Sequence, residues 1–127
     1  MAENKRKVLI IEDEARNMKL ETDLLVMAGY EVISTDNAEQ GIVLAKERQP
    51  DVIVSDYQLP GLNGIQAQQV LAADELTKNI PLAFVTASVT QEQKEMLARS
   101  GCQVISKPIN TRTFAKEVGA LIRRKTV

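Results

Sequence analysis

Five apolar runs rich in β-branched residues recur along the chain, at Val8 to Ile11, Val32 to Thr35, Val52 to Ser55, Leu82 to Thr86 and Val104 to Ser106. Each has the length of a strand, and the segments between them carry helical spacing instead. Met18, Leu24, Leu25 and Met27 predict a first helix with one apolar face, stopped at Gly29. Asn37 reads as the cap of a helix over Ala38 to Glu47, whose Ile42, Leu44 and Ala45 face a core before Pro50 resets the chain. A third helix is expected from about Ile65 to Ala73, and Pro81 introduces the next strand. Thr90 caps Gln91 to Arg99, which Gly101 ends, and Asn110 to Arg124 supplies the last helix through Phe114, Val118, Leu121 and Ile122. Continuous apolar strands alternating with helices predict a parallel sheet covered on both faces, a doubly wound α/β fold. No repeat, low-complexity tract or linker interrupts the pattern, so residues 1–127 read as one domain.

Composition narrows the chemistry. Sixteen basic residues nearly balance seventeen acidic ones, and the net charge of -1 provides no overall field for nucleic acid or an anionic membrane. Arg123, Arg124 and Lys125 suit the end of a helix dipole and have no aromatic platform or second basic cluster beside them. The chain has no histidine, which removes His-based acid/base catalysis, His-dependent triads and most zinc sites. One cysteine, Cys102, allows no intrachain disulfide and reads as a small packed residue. Without a signal peptide or a long apolar run, a soluble cytoplasmic protein is expected.

In an open parallel sheet, ligands bind beyond the carboxyl ends of the strands. The first run leads directly into Glu12, Asp13 and Glu14, the third into Asp56, the fourth ends at Thr86, and the fifth ends at Ser106 and Lys107. Carboxylates gathered this way repel one another unless a cation is present. An all-oxygen donor set favours Mg²⁺ over zinc or copper. Asp56 precedes the turn-forming stretch Leu59-Pro60-Gly61-Leu62-Asn63-Gly64, a place suited to a nucleophile. Taken singly, each has a plainer role: Asp13 or Asp56 as turn former or cap, Thr86 as a strand residue, Lys107 as a solvated lysine. Their order along successive strand ends is what points to a site.

The segments VLIIEDE, DVIVSDYQLPGLNG, PLAFVTAS and ISKPI resemble the receiver domain of two-component response regulators, in order and over nearly the whole chain. The resemblance implies a flavodoxin-like, five-stranded parallel sheet with five helices. It implies phosphorylation of Asp56 by a histidine kinase or a histidine phosphotransfer protein, with the histidine on that partner. By the same resemblance Asp13 ligates Mg²⁺ directly, Glu12 acts through water, and Gln58 contributes its backbone carbonyl. Lys107 pairs with Asp56 before phosphorylation and with the phosphoryl group afterwards. Thr86 moves toward the phosphoryl oxygens, and the small Ala87 leaves room beside them.

The implied function is a single-domain switch that changes binding to a downstream protein, through the fourth helix, fifth strand and fifth helix, with Ser88 to Lys94 and Cys102 to Lys107 sensing the event. One position departs from the pattern. Val104 stands three residues before the lysine, where the family commonly carries Tyr or Phe, and valine cannot supply a ring reorientation. The other readings are a phosphotransfer intermediate or phosphate sink with no conformational output, and a phosphorylation-independent interaction module. A flavin or dinucleotide protein of the same topology would need a Gly-rich loop after the first strand, where acidic residues stand instead.

Overall fold

The computed structural model describes residues 5–59, 61, 63–87 and 90–125, the side chains of 123–125 excepted. Strands and helices alternate as β1 (Lys7–Ile11), α1 (Ala15–Met27), β2 (Glu31–Thr35), α2 (Ala38–Arg48), β3 (Val52–Asp56), α3 (Gly64–Ala73), β4 (Leu82–Thr86), α4 (Gln91–Ser100), β5 (Gln103–Ser106) and α5 (Phe114–Lys125). The strands form one parallel sheet in the order β2-β1-β3-β4-β5. Successive side chains on a strand point to opposite faces, so two cores result. Leu9, Ile11, Ile53 and Phe84 pack under α2, α3 and α4 with Ala45, Leu71 and Leu97. Val8, Ile10, Val54 and Val85 pack on the other face with Leu25 of α1 and Phe114, Val118, Leu121 and Ile122 of α5.

The caps expected from sequence form. Asn37 accepts a hydrogen bond from the Gln40 amide at 2.8 Å. Thr90 and Gln93 make a reciprocal capping box, and α4 ends on Gly101 at φ 75°, a left-handed conformation that costs glycine little. Asn63 and Gln66 make a second capping box at the start of α3. Pro60 and Leu62, within the expected turn before it, lie outside the described residues.

Three expectations need correction. Met27 is 84% exposed and lies off the core face of α1. It follows Leu25 by two residues, about 200° around the helix axis, so the two cannot share a face. The last helix begins at Phe114, not Asn110; residues 111–113 form a turn in which the Phe114 amide donates to the Asn110 carbonyl at 2.9 Å. Helices cover both faces of the sheet as far as β2, where Ile33 joins one core and Val32 packs against the other, but the covering thins at β5. On this edge strand Ile105 alone is buried, and Val104 is 43% exposed. The backbone of 123–125 continues α5.

Candidate functional site

β1 lies between β2 and β3, so the chain leaves it toward one side of the sheet and later returns on the other. The loops after β1 and β3 therefore diverge and open a crevice at their carboxyl ends. Glu12 follows β1 and is 2% exposed; its amide donates to the Thr35 carbonyl of β2 at 3.0 Å, which aims the side chain along the crevice. Asp13, next along the chain, is exposed. Asp56, buried, is the last residue of β3, and its Oδ1 accepts a hydrogen bond from the Gln58 amide at 3.2 Å. Ser55 donates its hydroxyl to the Asp56 carbonyl at 2.9 Å. Glu14 caps α1 by accepting from the Arg16 and Asn17 amides, and its own amide donates to Glu12 Oε2 at 3.1 Å.

Lys107 enters from the far side of the sheet. Its Nζ lies 3.1 Å from Asp56 Oδ2 and 3.1 Å from Glu12 Oε1, so one ammonium holds two buried carboxylates. The Asp56 contact is a hydrogen bond, whereas Glu12 Oε1 meets the ammonium without an aligned one and has no other partner among the described residues. Lys107 is anchored by its own backbone, which donates to the Thr86 carbonyl at 2.8 Å; the peptide bond to Pro108 is cis. Thr86, at the end of β4, is buried, pairs in register with Ser106, and stands one residue beyond the partner of Asp56. Asp13, Glu14, Asn17, Asp56, Gln58, Leu59, Thr86, Ala87 and Lys107 together line an open cleft of about 580 Å³. A larger cavity, about 670 Å³, lies away from these carboxylates, among Leu71, Thr77, Ile80 and Gln103.

The electrostatics follow from burial. Glu12 titrates above the usual carboxylate range because it is desolvated and repelled by Asp56, against the opposing pull of the Glu14 amide and Lys107. Burial alone would lower Lys107, but the nearby Glu12 and Asp56 carboxylates overcome that and hold the ammonium form above its ordinary value. Carboxylate oxygens of Glu12, Asp13 and Asp56 all lie within 4.8 Å of one another. That spacing, the all-oxygen chemistry and the unsatisfied Glu12 Oε1 fit a hard divalent cation. A nucleophilic carboxylate beside a cation site and a fixed ammonium is suited to phosphoryl transfer.

Glu21 was not evident from the strand ends. It lies on α1, is 2% exposed, and sits close enough to Glu12 for the two carboxylates to repel. Desolvation first, then the proximity of Glu12, push its pKa up to about 8. A signal was available: Glu21 is three residues after Met18 and four before Leu25, on the core-facing stripe of the helix.

Gly64 sets the other wall. A β-carbon there would lie 2.8 Å from the Asp56 carbonyl oxygen and 3.0 Å from the Phe84 ring, which itself packs edge-on against Tyr57 at 6.1 Å. Gly64→Ala is expected to destabilise the fold by about 1–3 kcal/mol, measured by urea unfolding. An unchanged midpoint would mean that the backbone yields at no cost.

Val104 borders a cavity of about 480 Å³ between α4 and β5, lined also by Thr86, Ala87, Lys94, Leu97, Cys102 and Ser106. Cys102 is partly buried against the core, and desolvation raises its thiol pKa, in keeping with a packing role. Of the expected sensing segment, Ser88 and Val89 lie outside the described residues.

Fold and acidic crevice together define a phosphoryl-signalling module of the two-component type, and residues 8–119 match the response regulator receiver domain family. The chain belongs to that family. It is 38% identical over 114 residues to the polar-differentiation response regulator DivK of Brucella anthropi, covering 89% of this chain and 93% of that one. DivK of Brucella ovis matches with the same identity and coverage. Among solved structures, chemotaxis response regulator CheY4 of Vibrio cholerae superposes with a TM-score of 0.85 at 24% identity, over 93% of this chain and 99% of that one. The receiver domain of the sensor histidine kinase PA1611 from Pseudomonas aeruginosa, which carries a magnesium ion in its active-site cleft, gives 0.86 at 24% identity over 94% and 98%. These two likenesses speak to the fold, which is flavodoxin-like. Receiver domains are signalling switches and not classical enzymes. Among the described residues no helix is long and apolar enough to cross a membrane.

Proposed function

We propose that this chain is a phosphorylation switch in which Asp56 accepts a phosphoryl group from a phosphohistidine on a kinase or phosphotransfer protein, in a Mg²⁺-dependent reaction. The observation that carries this reading is the Lys107 ammonium set between Asp56 and Glu12, 3.1 Å from each, beside the exposed Asp13. An Asp56 carboxylate oxygen forms the new P–O bond as the donor's P–N bond breaks, the leaving imidazole taking the bonding pair and a proton. Asp13 and Asp56 would hold Mg²⁺ directly, with the Gln58 carbonyl, and Glu12 through water; the ion, when bound, neutralises the incoming phosphoryl oxygens. Lys107 would move its hydrogen bond from Asp56 to the phosphoryl group, and Thr86 would donate its hydroxyl to a phosphoryl oxygen. Because Lys107 is bonded to the Thr86 carbonyl, both shifts load the β4–β5 end of the sheet and the α4–β5–α5 surface, where a downstream protein would read them. Residues 1–127 would act as one domain.

Incubation with acetyl phosphate and Mg²⁺, followed by intact mass measurement, is expected to add one phosphoryl group to the wild type and none to Asp56→Asn. No adduct on the wild type, or an undiminished adduct on the variant, overturns the assignment. Val104 favours a second reading. A 43%-exposed valine at the edge has no ring to reorient with Thr86, as a phosphate sink or relay intermediate would permit. Amide spectra with and without a phosphoryl mimic separate the two: shifts confined to the surroundings of Asp56 support the relay, and shifts reaching α4 and β5 support the switch.

A further inference from the structure

β5 ends the sheet on one side, with no strand among the described residues paired beyond it. Its backbone therefore has one paired edge and one open edge. Residues along a strand send their N–H and C=O groups alternately to either side, and the Lys107 amide donates inward to the Thr86 carbonyl, so the groups of Ser106 and Val104 face outward. Among the described residues no backbone group outside the sheet meets them. Apart from its shortness, β5 lacks the features that blunt such an edge: Gln103-Val104-Ile105-Ser106 contains no lysine or proline, and its register with β4 is unbroken.

A hollow lies on each face of this open edge. Ile105 joins the core on the α5 side, so its neighbours Val104 and Ser106 point to the α4 side, where they border the cavity of about 480 Å³ with Lys94, Leu97 and Ala98. On the α5 side a second hollow of about 240 Å³ lies among Gln103, Ile105, Glu117, Ala120 and Leu121. A strand laid against β5 would send alternate side chains into these two hollows. That is how an extended segment adds to a sheet edge: main-chain hydrogen bonds hold it, and pockets for alternating side chains select it. Among the described residues Lys94 is the one charge lining the α4 hollow and Glu117 the one charge lining the other. We propose that the open edge of β5 receives an extended segment of the downstream protein by strand addition, with a large apolar and an acidic side chain on its α4 side and small polar ones on its α5 side. The inference deepens, and rests on, the reading of α4–β5–α5 as the surface that a downstream protein meets. It differs from docking of a helix there, because a helix has used its main-chain groups internally and offers none to Val104 and Ser106. Thr86 lines the same α4 hollow, which sets the segment beside the residue that reports on Asp56.

The test uses the full chain and a short synthetic peptide in which aspartate, phenylalanine and valine alternate with threonines, together with the peptide of reversed sequence. Binding is followed by the amide shifts and the solvent exchange of Val104 and Ser106. At least one of the two peptides is expected to bind saturably and to slow exchange at both amides. N-methylation of one alternate set of its amides is expected to weaken binding at least about tenfold, because the main-chain hydrogen bonds to β5 are lost, while methylation of the other set changes it less than about threefold. Lys94→Glu is expected to prefer the peptide with lysine in place of aspartate. Saturation by neither peptide, or equal effects of the two methylation patterns, overturns strand addition, and an unreversed charge preference overturns the assigned chemistry. A chain that sediments alone as a dimer, with both amides already slow to exchange, puts a second copy on the edge and overturns the partner segment. None of these measurements uses a phosphodonor, so their failure is distinct from a missing phosphoryl adduct at Asp56, which defeats the switch itself.

Discussion

Lys107→Met is expected to lower the stability of the metal-free protein by about 3 kcal/mol and to slow phosphorylation by acetyl phosphate at least about 100-fold. The stability loss arises because the ammonium holds both Asp56 and Glu12 at 3.1 Å, and without it two buried carboxylates face one another with no counter-charge. Mg²⁺ can take over part of that neutralisation. The variant should therefore gain more stability from saturating Mg²⁺ than the wild type gains, since ligand binding to the folded state alone adds roughly 2.7 kcal/mol at a hundredfold excess over Kd. Urea unfolding in EDTA and in Mg²⁺ checks this. Equal gains in the two proteins would mean that lysine and cation do not neutralise the same carboxylates. The rate loss has a separate origin: a fixed ammonium stabilises charge on the transferring phosphoryl group without reorganising, and methionine offers none.

The second large effect is on pH dependence. Glu21 has its folded-state pKa raised from 4.5 to about 8. Below pH 4.5 it is protonated in both the folded and unfolded chains, and burial costs nothing extra in charge. Between about pH 4.5 and 8 the folded state binds the additional proton, so stability falls as pH rises across that window and levels off above it. Glu12, also raised, contributes in the same direction, whereas the raised Lys107 is lost only in strongly alkaline solution. In EDTA the wild type is expected to lose on the order of 3 kcal/mol across this range, and Glu21→Gln to show a much flatter profile with higher stability at pH 8. The check is a set of urea unfolding curves at pH 4, 6 and 8. A variant profile parallel to the wild type would assign the slope to other groups.

Much of the architecture was legible because local signals agreed. Asn37, Thr90 and Gly101 each mark a helix end by a cap whose hydrogen bonding is local to the chain, so no tertiary knowledge was needed. The polar residues at strand ends were legible for the same reason: each follows its own apolar run. What depended on neighbours in space was not. Val104 reads as an ordinary strand residue from its own segment, and only the strand order, which puts β5 at the edge, accounts for its exposure. Met27 was assigned to a face by composition when its angular position excluded it. Glu21 escaped because apolar periodicity is read from the apolar residues, and a glutamate on the stripe passes as a gap. The double role of Lys107 was half visible. Its pairing with Asp56 was implied by resemblance, but the equal approach to Glu12 depends on the depth to which Glu12 is buried.

The close approach at Gly64 has a mechanical consequence. The first residue of α3 presses on the Asp56 carbonyl so tightly that an added β-carbon would sit 2.8 Å away, and the Gly64 amide is bonded to the Tyr57 carbonyl at 2.9 Å. The end of β3 and the start of α3 therefore behave as a single stiff bracket behind Asp56. A load applied to the Asp56 side chain finds no give on that side. It is directed toward the opposite wall, where a backbone hydrogen bond from Lys107 to Thr86 extends the β4–β5 pairing and β5 is the uncovered edge of the sheet. The molecule is built as an anvil on one flank and a spring on the other.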